Sequence, residues 1–265
     1  MPINGINITN DHPRIICHVD EFSDCIKEKI KTNLQNIFHG SEAVKNRPNY
    51  HTYTNTLKCF FDRYKDKSNE TKKGMIGELL AHILISDTLS NLRTISIYKN
   101  KEERSIKKGF DIVYIDNKNS LWYSEVKSGD SAGASADNYN FELLTRAING
   151  ITDMFDSKRE SLWESAIIDA YMTIDSESQI SVQDLLTGNS PMSNNENDMP
   201  RNAILVSVLY HDVKERMTQE SLNKLWKNLS SRPSIASAII FSIQKSTLKK
   251  VEDFLKSEAG ITDGH

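Results

Sequence analysis

The sequence predicts an α/β protein: a mixed central sheet flanked by helices over residues 67–265, preceded by a helical extension over residues 1–66. Three observations carry this. Residues 203–210 and 235–243 are apolar runs of strand length, the pattern of strands buried on both faces of a sheet. Residues 109–115 and 121–127 are β-type runs on either side of the turn-rich 116–120, which reads as a hairpin loop. Around these runs, apolar residues recur at three- and four-residue intervals, as they do in helices that cover a sheet.

Residues 1–20 mix Asn, Gly, Pro and Asp with Ile and read as an irregular arm or a short edge strand. Phe22, Cys25, Ile26, Ile30, Leu34 and Ile37 then follow helical spacing, so a helix should end near Gly40. Tyr53, Leu57, Phe60, Phe61 and Tyr64 mark a second helix after the break at Pro48, and the polar run 65–70 reads as a domain boundary. Residues 74–85 form a mostly apolar helix with one acid, Glu78, in its middle. A carboxylate among core-facing neighbours sits either on a narrow exposed stripe or in a site that compensates its charge. Ile95 and Ile97 alternate with polar residues in a strand over 94–98, and the charged segment 99–108 leads into the hairpin.

After the hairpin comes a small-residue loop, 128–135. Phe141, Leu144, Ile148, Ile151, Met154 and Phe155 define an amphipathic helix, and 162–172 a further one. Residues 175–202 are polar, contain Pro191 and Pro200, and predict a long surface insertion. Helices are expected around 222–229 and 248–255.

The formal net charge of -3 excludes a protein that holds nucleic acid by bulk electrostatics alone, so phosphate binding would need a local patch, a divalent cation or a partner. Cys17, Cys25 and Cys59 form no CxxC pair and read as reduced thiols of a cytoplasmic protein. No N-terminal apolar signal region and no membrane-length apolar run is evident, so the expectation is a soluble protein with no membrane partner.

The hairpin carries the chemistry. Asp111 opens its first strand while Glu125 and Lys127 close the second, so all three gather at one end. Glu125 and Lys127 point to one face and Val126 to the other, because strand side chains alternate. Taken alone, an Asp beside Gly or an ExK at a strand end is an ordinary solvated acid or surface ion pair. Their conjunction, with Glu78 on the preceding helix, points to a metal site with an adjacent lysine.

The order helix, strand, strand, strand, helix, strand resembles the αβββαβ core of the restriction-endonuclease-like PD-(D/E)XK nuclease superfamily. Its signature is an Asp at a strand start, a variable spacer, (D/E)-x-K on the next strand, and often a Glu on the preceding helix. Gly109-Phe110-Asp111, Glu125-Val126-Lys127 and Gly77-Glu78 stand at these positions, with Phe110 in place of the usual Pro. More narrowly, the Gly-Glu-Leu-Leu helix, the Gly-Phe-Asp and Glu-Val-Lys-Ser strands and the N-terminal extension are similar to HamA-type nucleases of the Hachiman antiphage system.

The resemblance implies a Mg²⁺-dependent DNase, with Mn²⁺ as a substitute, acting with a superfamily 2 helicase subunit of the HamB kind. Asp111 and Glu125 would be the principal ligands, the Val126 carbonyl an additional one, Glu78 a ligand directly or through water, and Lys127 the catalytic lysine. Hard carboxylate oxygens suit Mg²⁺, which keeps several waters and needs only one or two protein carboxylates. Lys107, Lys108 and Arg146 are the candidates for phosphate contact, with Lys72 and Lys73 behind them; His82 either borders the site or is a structural histidine. The same residues would serve a restriction or repair nuclease acting alone, and an inert nuclease-like scaffold that binds a partner protein would retain the fold.

Overall fold

In the computed structural model, which describes residues 3–98, 109–130, 133–193, 199–229, 231–246 and 248–261, the chain builds one sheet with helices on both faces. It opens with β1 (Ile6–Asp11) and β2 (Arg14–Val19), followed by α1 (Asp24–His39), α2 (Ser41–Asn46) and α3 (Tyr53–Tyr64). Then come α4 (Asn69–Thr88), β3 (Leu92–Thr94), β4 (Ile112–Asp116) and β5 (Leu121–Asp130). Three helices follow, α5 (Ala136–Asp156), α6 (Ser161–Thr173) and α7 (Ser176–Gly188). The chain finishes with β6 (Arg201–Tyr210), α8 (Gln219–Leu229), β7 (Ile235–Lys245) and α9 (Lys249–Glu258).

The strand order is β1-β2-β7-β6-β5-β4-β3. Strands β3, β4 and β5 form an antiparallel meander, β5, β6, β7 and β2 are parallel, and β1 closes the far edge antiparallel. This is the mixed sheet of the predicted α/β class, and the order of helix, three strands, helix and strand runs from α4 to β6 with α6 and α7 added after α5. The apolar runs are central because both their faces are covered. Ile204, Val206 and Val208 of β6 pack into a core with α1, α3 and α4, while Ala203, Leu205 and Leu209 pack into a second core with α5 and α6.

Four expectations need correction. The N-terminal segment is not purely helical: β2 pairs with β7, and its Ile15, Cys17 and Val19 share one core with α1, α3 and α4. The connection between α3 and α4 lies where a domain boundary was expected, but the helices on its two sides are packed together. The polar surface insertion expected at 175–202 contains helix α7, capped by Asp175 Oδ1 accepting from Ser178 N at 3.0 Å and anchored by buried Val182 and Leu186. Two apolar anchors four residues apart suffice to seat a helix whose other positions are polar. Finally, the strand expected at 94–98 pairs only at Leu92–Thr94, while Ser96 Oγ accepts the Val113 N–H at 2.7 Å. The charged segment expected at 99–108, with Lys107 and Lys108, lies outside the described residues. No helix among the described residues is long and apolar enough to cross a membrane.

One buried cation marks the end of β7. Lys245 is 2 % exposed, its ammonium stands 5.0 Å from the Phe22 ring centroid, and burial, with Lys250 adding repulsion, pushes its pKa down to about 8. The folded protein therefore loses this proton before the unfolded chain does, and stability from this group rises as pH climbs from about 8 towards about 10.5. Lys245→Met keeps the stem and removes the buried charge. It should stabilise the protein by about 1–3 kcal/mol at neutral pH, with the gain shrinking towards about pH 10. Urea denaturation at the two pH values measures this; an equal gain at both would show that charge burial is not the cause.

Candidate active site

The hairpin opens at one end. Pairing between β4 and β5 stops at Ile112 and Ser124, so β5 runs on without β4 beside it. Asp111 stands at that fork. Its N–H donates to the Ser124 carbonyl at 3.2 Å, and its Oδ2 accepts the Val126 N–H at 2.7 Å, in the place a strand carbonyl would occupy. A strand residue directs its N–H and C=O to the same side, so the Val126 carbonyl also faces this open edge.

The faces of β5 follow from its packing. Val126 belongs to the core under α4, and a Cβ on Gly77 of α4 would collide with Ser128 Oγ. Tyr123 belongs to the core under α5. Glu125 and Lys127 share the face of Tyr123, towards α5. A Cβ on Gly150 of α5 would stand 2.9 Å from Glu125 Oε1, so a larger residue there would press on the carboxylate. The Lys127 ammonium donates directly to Glu125 Oε1.

A buried polar cluster fixes α5 over this end of the sheet. Asn140, fully buried, donates from Nδ2 to Ser221 Oγ at 2.9 Å and Ser242 Oγ at 3.2 Å, and its Oδ1 accepts from Ser207 Oγ at 2.5 Å. Ser207 pairs with Lys127 across β5 and β6, which places the cluster beside the site. Asp137 accepts from Ser221 Oγ at 3.0 Å and from Thr218 N and Oγ1 at 2.8 Å, tying the first turn of α5 to the start of α8.

The electrostatics are those of two acids crowded together. Burial first, then the neighbouring Asp111 carboxylate, raises the Glu125 pKa, and the Lys127 ammonium only partly opposes them. Burial pulls the Lys127 pKa down, but Glu125 and Asp111 more than offset it and the net direction is up, with Arg146 opposing. Burial and the adjoining Asp111 carboxylate hold Glu125 towards its neutral form.

Asp111, Glu125 and Lys127 are thus brought together, and Arg146 lies on exposed α5 surface within electrostatic reach of Lys127. Glu78 belongs to the other side of the sheet, which α4 covers, and its carboxylate helps burial to raise the pKa of Tyr114. Among the described residues no group of three or more His, Cys, Asp or Glu side chains has the arrangement of a metal cage. Two carboxylates and a strand carbonyl are what the site offers, enough for an ion that keeps its waters. Lys73 is ion-paired with Glu70 at 2.7 Å and Asp130 at 2.8 Å, and the Lys72 ammonium lies 5.2 Å from the Tyr64 ring centroid. His82 is buried, with its ring edge-on to Tyr98, and lines a cavity of about 460 Å³ with Lys29 and Arg93, on the α4 side.

Sequence reasoning missed Gly150 and Asn140. Both carried a signal, since a mid-helix glycine costs about 1 kcal/mol relative to alanine and a polar residue on a buried helical stripe requires partners. Asn140, Leu144, Ala147 and Ile151 share that stripe, and all are buried.

A raised carboxyl pKa has a definite pH signature. Its contribution to stability is complete below the unfolded value of about 4.3 and is lost as pH rises through the folded value. Glu125→Gln does not titrate and keeps an oxygen for Lys127. In chelator-containing buffer its melting temperature should gain on that of the wild type as pH goes from about 5 to about 8. A difference that stays flat or shrinks would contradict the crowding of Glu125 with Asp111.

The HamA family profile matches residues 4–259, a span that runs from just before β1 to just past α9 and contains the whole site. No curated protein matches the chain.

Proposed function

The chain belongs to the HamA family of Hachiman antiphage defence components, and on that premise we propose that it is a metal-dependent nuclease of the PD-(D/E)XK type, cleaving DNA phosphodiester bonds beside a helicase subunit. The observation that carries this reading is the fork at Asp111, where two carboxylates and a lysine converge on an open strand edge. The donor set fits a hard divalent ion. It offers carboxylate oxygens from Asp111 and Glu125 and the outward Val126 carbonyl, in a setting where Glu125 and Asp111 repel each other. These residues would hold Mg²⁺, or Mn²⁺ in its place, which when bound supplies Lewis-acid polarisation of a phosphoryl oxygen and a lowered pKa for water.

The protein's own groups do the rest. Glu125, pressed between β5 and Gly150, has little room to turn away, so its oxygens are preorganised. Lys127, on the same face, orients the attacking water or offsets the negative charge that grows on the phosphate oxygens. Arg146, exposed near Lys127, would meet the DNA backbone, a contact that positions the strand without reading it. Glu78, on the α4 side beside Tyr114, is not one of these donors. A net charge of -3 supports delivery of the polyanion by a partner.

Asp111→Ala, Glu125→Ala and Lys127→Ala should each lower metal-dependent DNA cleavage at least about a hundredfold while far-ultraviolet circular dichroism stays that of the wild type. Mn²⁺ should raise the melting temperature of the wild type and of Lys127→Ala, but not of the two carboxylate variants. Cleavage that survived all three changes would overturn the assignment.

A further inference from the structure

Charge is not spread evenly along this chain. From residue 160 to 200 the sequence holds eight acidic residues and no Lys, Arg or His, so the other 224 residues carry 33 bases against 28 acids. The structured part of this acidic stretch is the pair α6 and α7. Gln179 of α7 donates to the carbonyls of Tyr171 and Ile174, joining the end of α6 to the first turns of α7.

The pair also exposes apolar side chains. Ile168, Tyr171 and Ile180 are 56 %, 52 % and 70 % exposed, and Met172 joins them. Glu164, Ile168, Tyr171 and Met172 fall on one stripe of α6, while Glu177, Ile180 and Asp184 fall on one stripe of α7. Glu164, Glu177 and Asp184 are exposed too. The result is an apolar surface bordered by acids on a protein whose remainder is basic.

We propose that α6 and α7 form the docking face for a protein partner that presents apolar side chains bordered by Lys and Arg. Three arguments select that occupant. Nucleic acid is repelled by the acids and has no side chains to cover Ile168 and Ile180. A second copy of the chain meeting this face through a two-fold axis would set acids against acids. A basic, apolar protein surface answers both features, with the apolar centre supplying affinity and the charged border supplying orientation and encounter rate. It also leaves the basic remainder of the chain, with Lys127 and Arg146, to face the polyanion. Resting on the function proposed above, the partner is the helicase subunit.

The test uses the full chain and the helicase subunit of the same system, with affinity measured by biolayer interferometry. Two variants probe different parts of the face, Ile168→Glu with Ile180→Glu, and Glu164→Lys with Glu177→Lys and Asp184→Lys. Lys118→Glu, on the exposed turn between β4 and β5, is the charge-change control. The expected result is a wild-type complex that weakens as salt is raised, at least tenfold weaker binding for both variants, and no change for the control, with all proteins melting like the wild type. A wild-type complex that both variants retain would overturn the docking face and leave the helicase reading standing. No complex with the wild-type chain would overturn both.

Discussion

The hydrogen bond from the Val126 N–H to Asp111 Oδ2 is the contact on which the site depends. It lets β4 leave β5 without orphaning a backbone donor, because the carboxylate replaces a strand carbonyl where the ladder ends. The same departure gives two results. It leaves the Val126 carbonyl on an open edge and brings the Asp111 carboxylate against Glu125, whose face Lys127 shares by strand alternation. A continuous hairpin would have closed that edge.

The opposing side of the site is held by helix packing rather than by strand pairing. Asn140 and its serine partners form a buried polar group satisfied across α5, β6, β7 and α8, which sets the axial position of α5 more tightly than apolar contacts alone would. That position puts Gly150, with no side chain, against Glu125. Crowding is therefore built from both sides, with an acid across the strand fork and a helix backbone above. In the nuclease reading, this crowding is what a divalent ion would relieve. The α6–α7 pair gathers acidity into one surface segment and leaves the rest of the chain with more bases than acids.

The site was legible in the sequence to the extent that it depends on strand alternation and turn chemistry. Asp116 to Ser120 makes a hairpin turn in which Asp116 Oδ1 accepts the N–H groups of Lys118 and Ser120, so the register of Glu125 and Lys127 follows from local residues. Which side of the sheet each residue faces did not follow, because it depends on topology. Helix α4 is apolar nearly all round, so its sequence could not say which stripe Glu78 occupies or that Tyr114 lies beside it. Residues 1–20 read only as an irregular arm or a short edge strand because β1 is largely exposed and β2 finds its partner β7 more than 200 residues later. Helix α7 was hidden by polarity, being seated by only Val182 and Leu186. Long-range pairing and sparse anchoring are both properties of the assembled fold, and short sequence windows do not contain them.

The central claim is that Asp111, Glu125 and the Val126 carbonyl together hold a divalent metal. Anomalous diffraction from crystals soaked in Mn²⁺ tests it most directly, because Mn²⁺ scatters anomalously and takes the same oxygen ligands. The account predicts a peak at the fork, with both carboxylates and the Val126 carbonyl at about 2.0–2.3 Å and water filling the remaining positions. A peak elsewhere on the protein, or none at the fork at millimolar Mn²⁺, would contradict it.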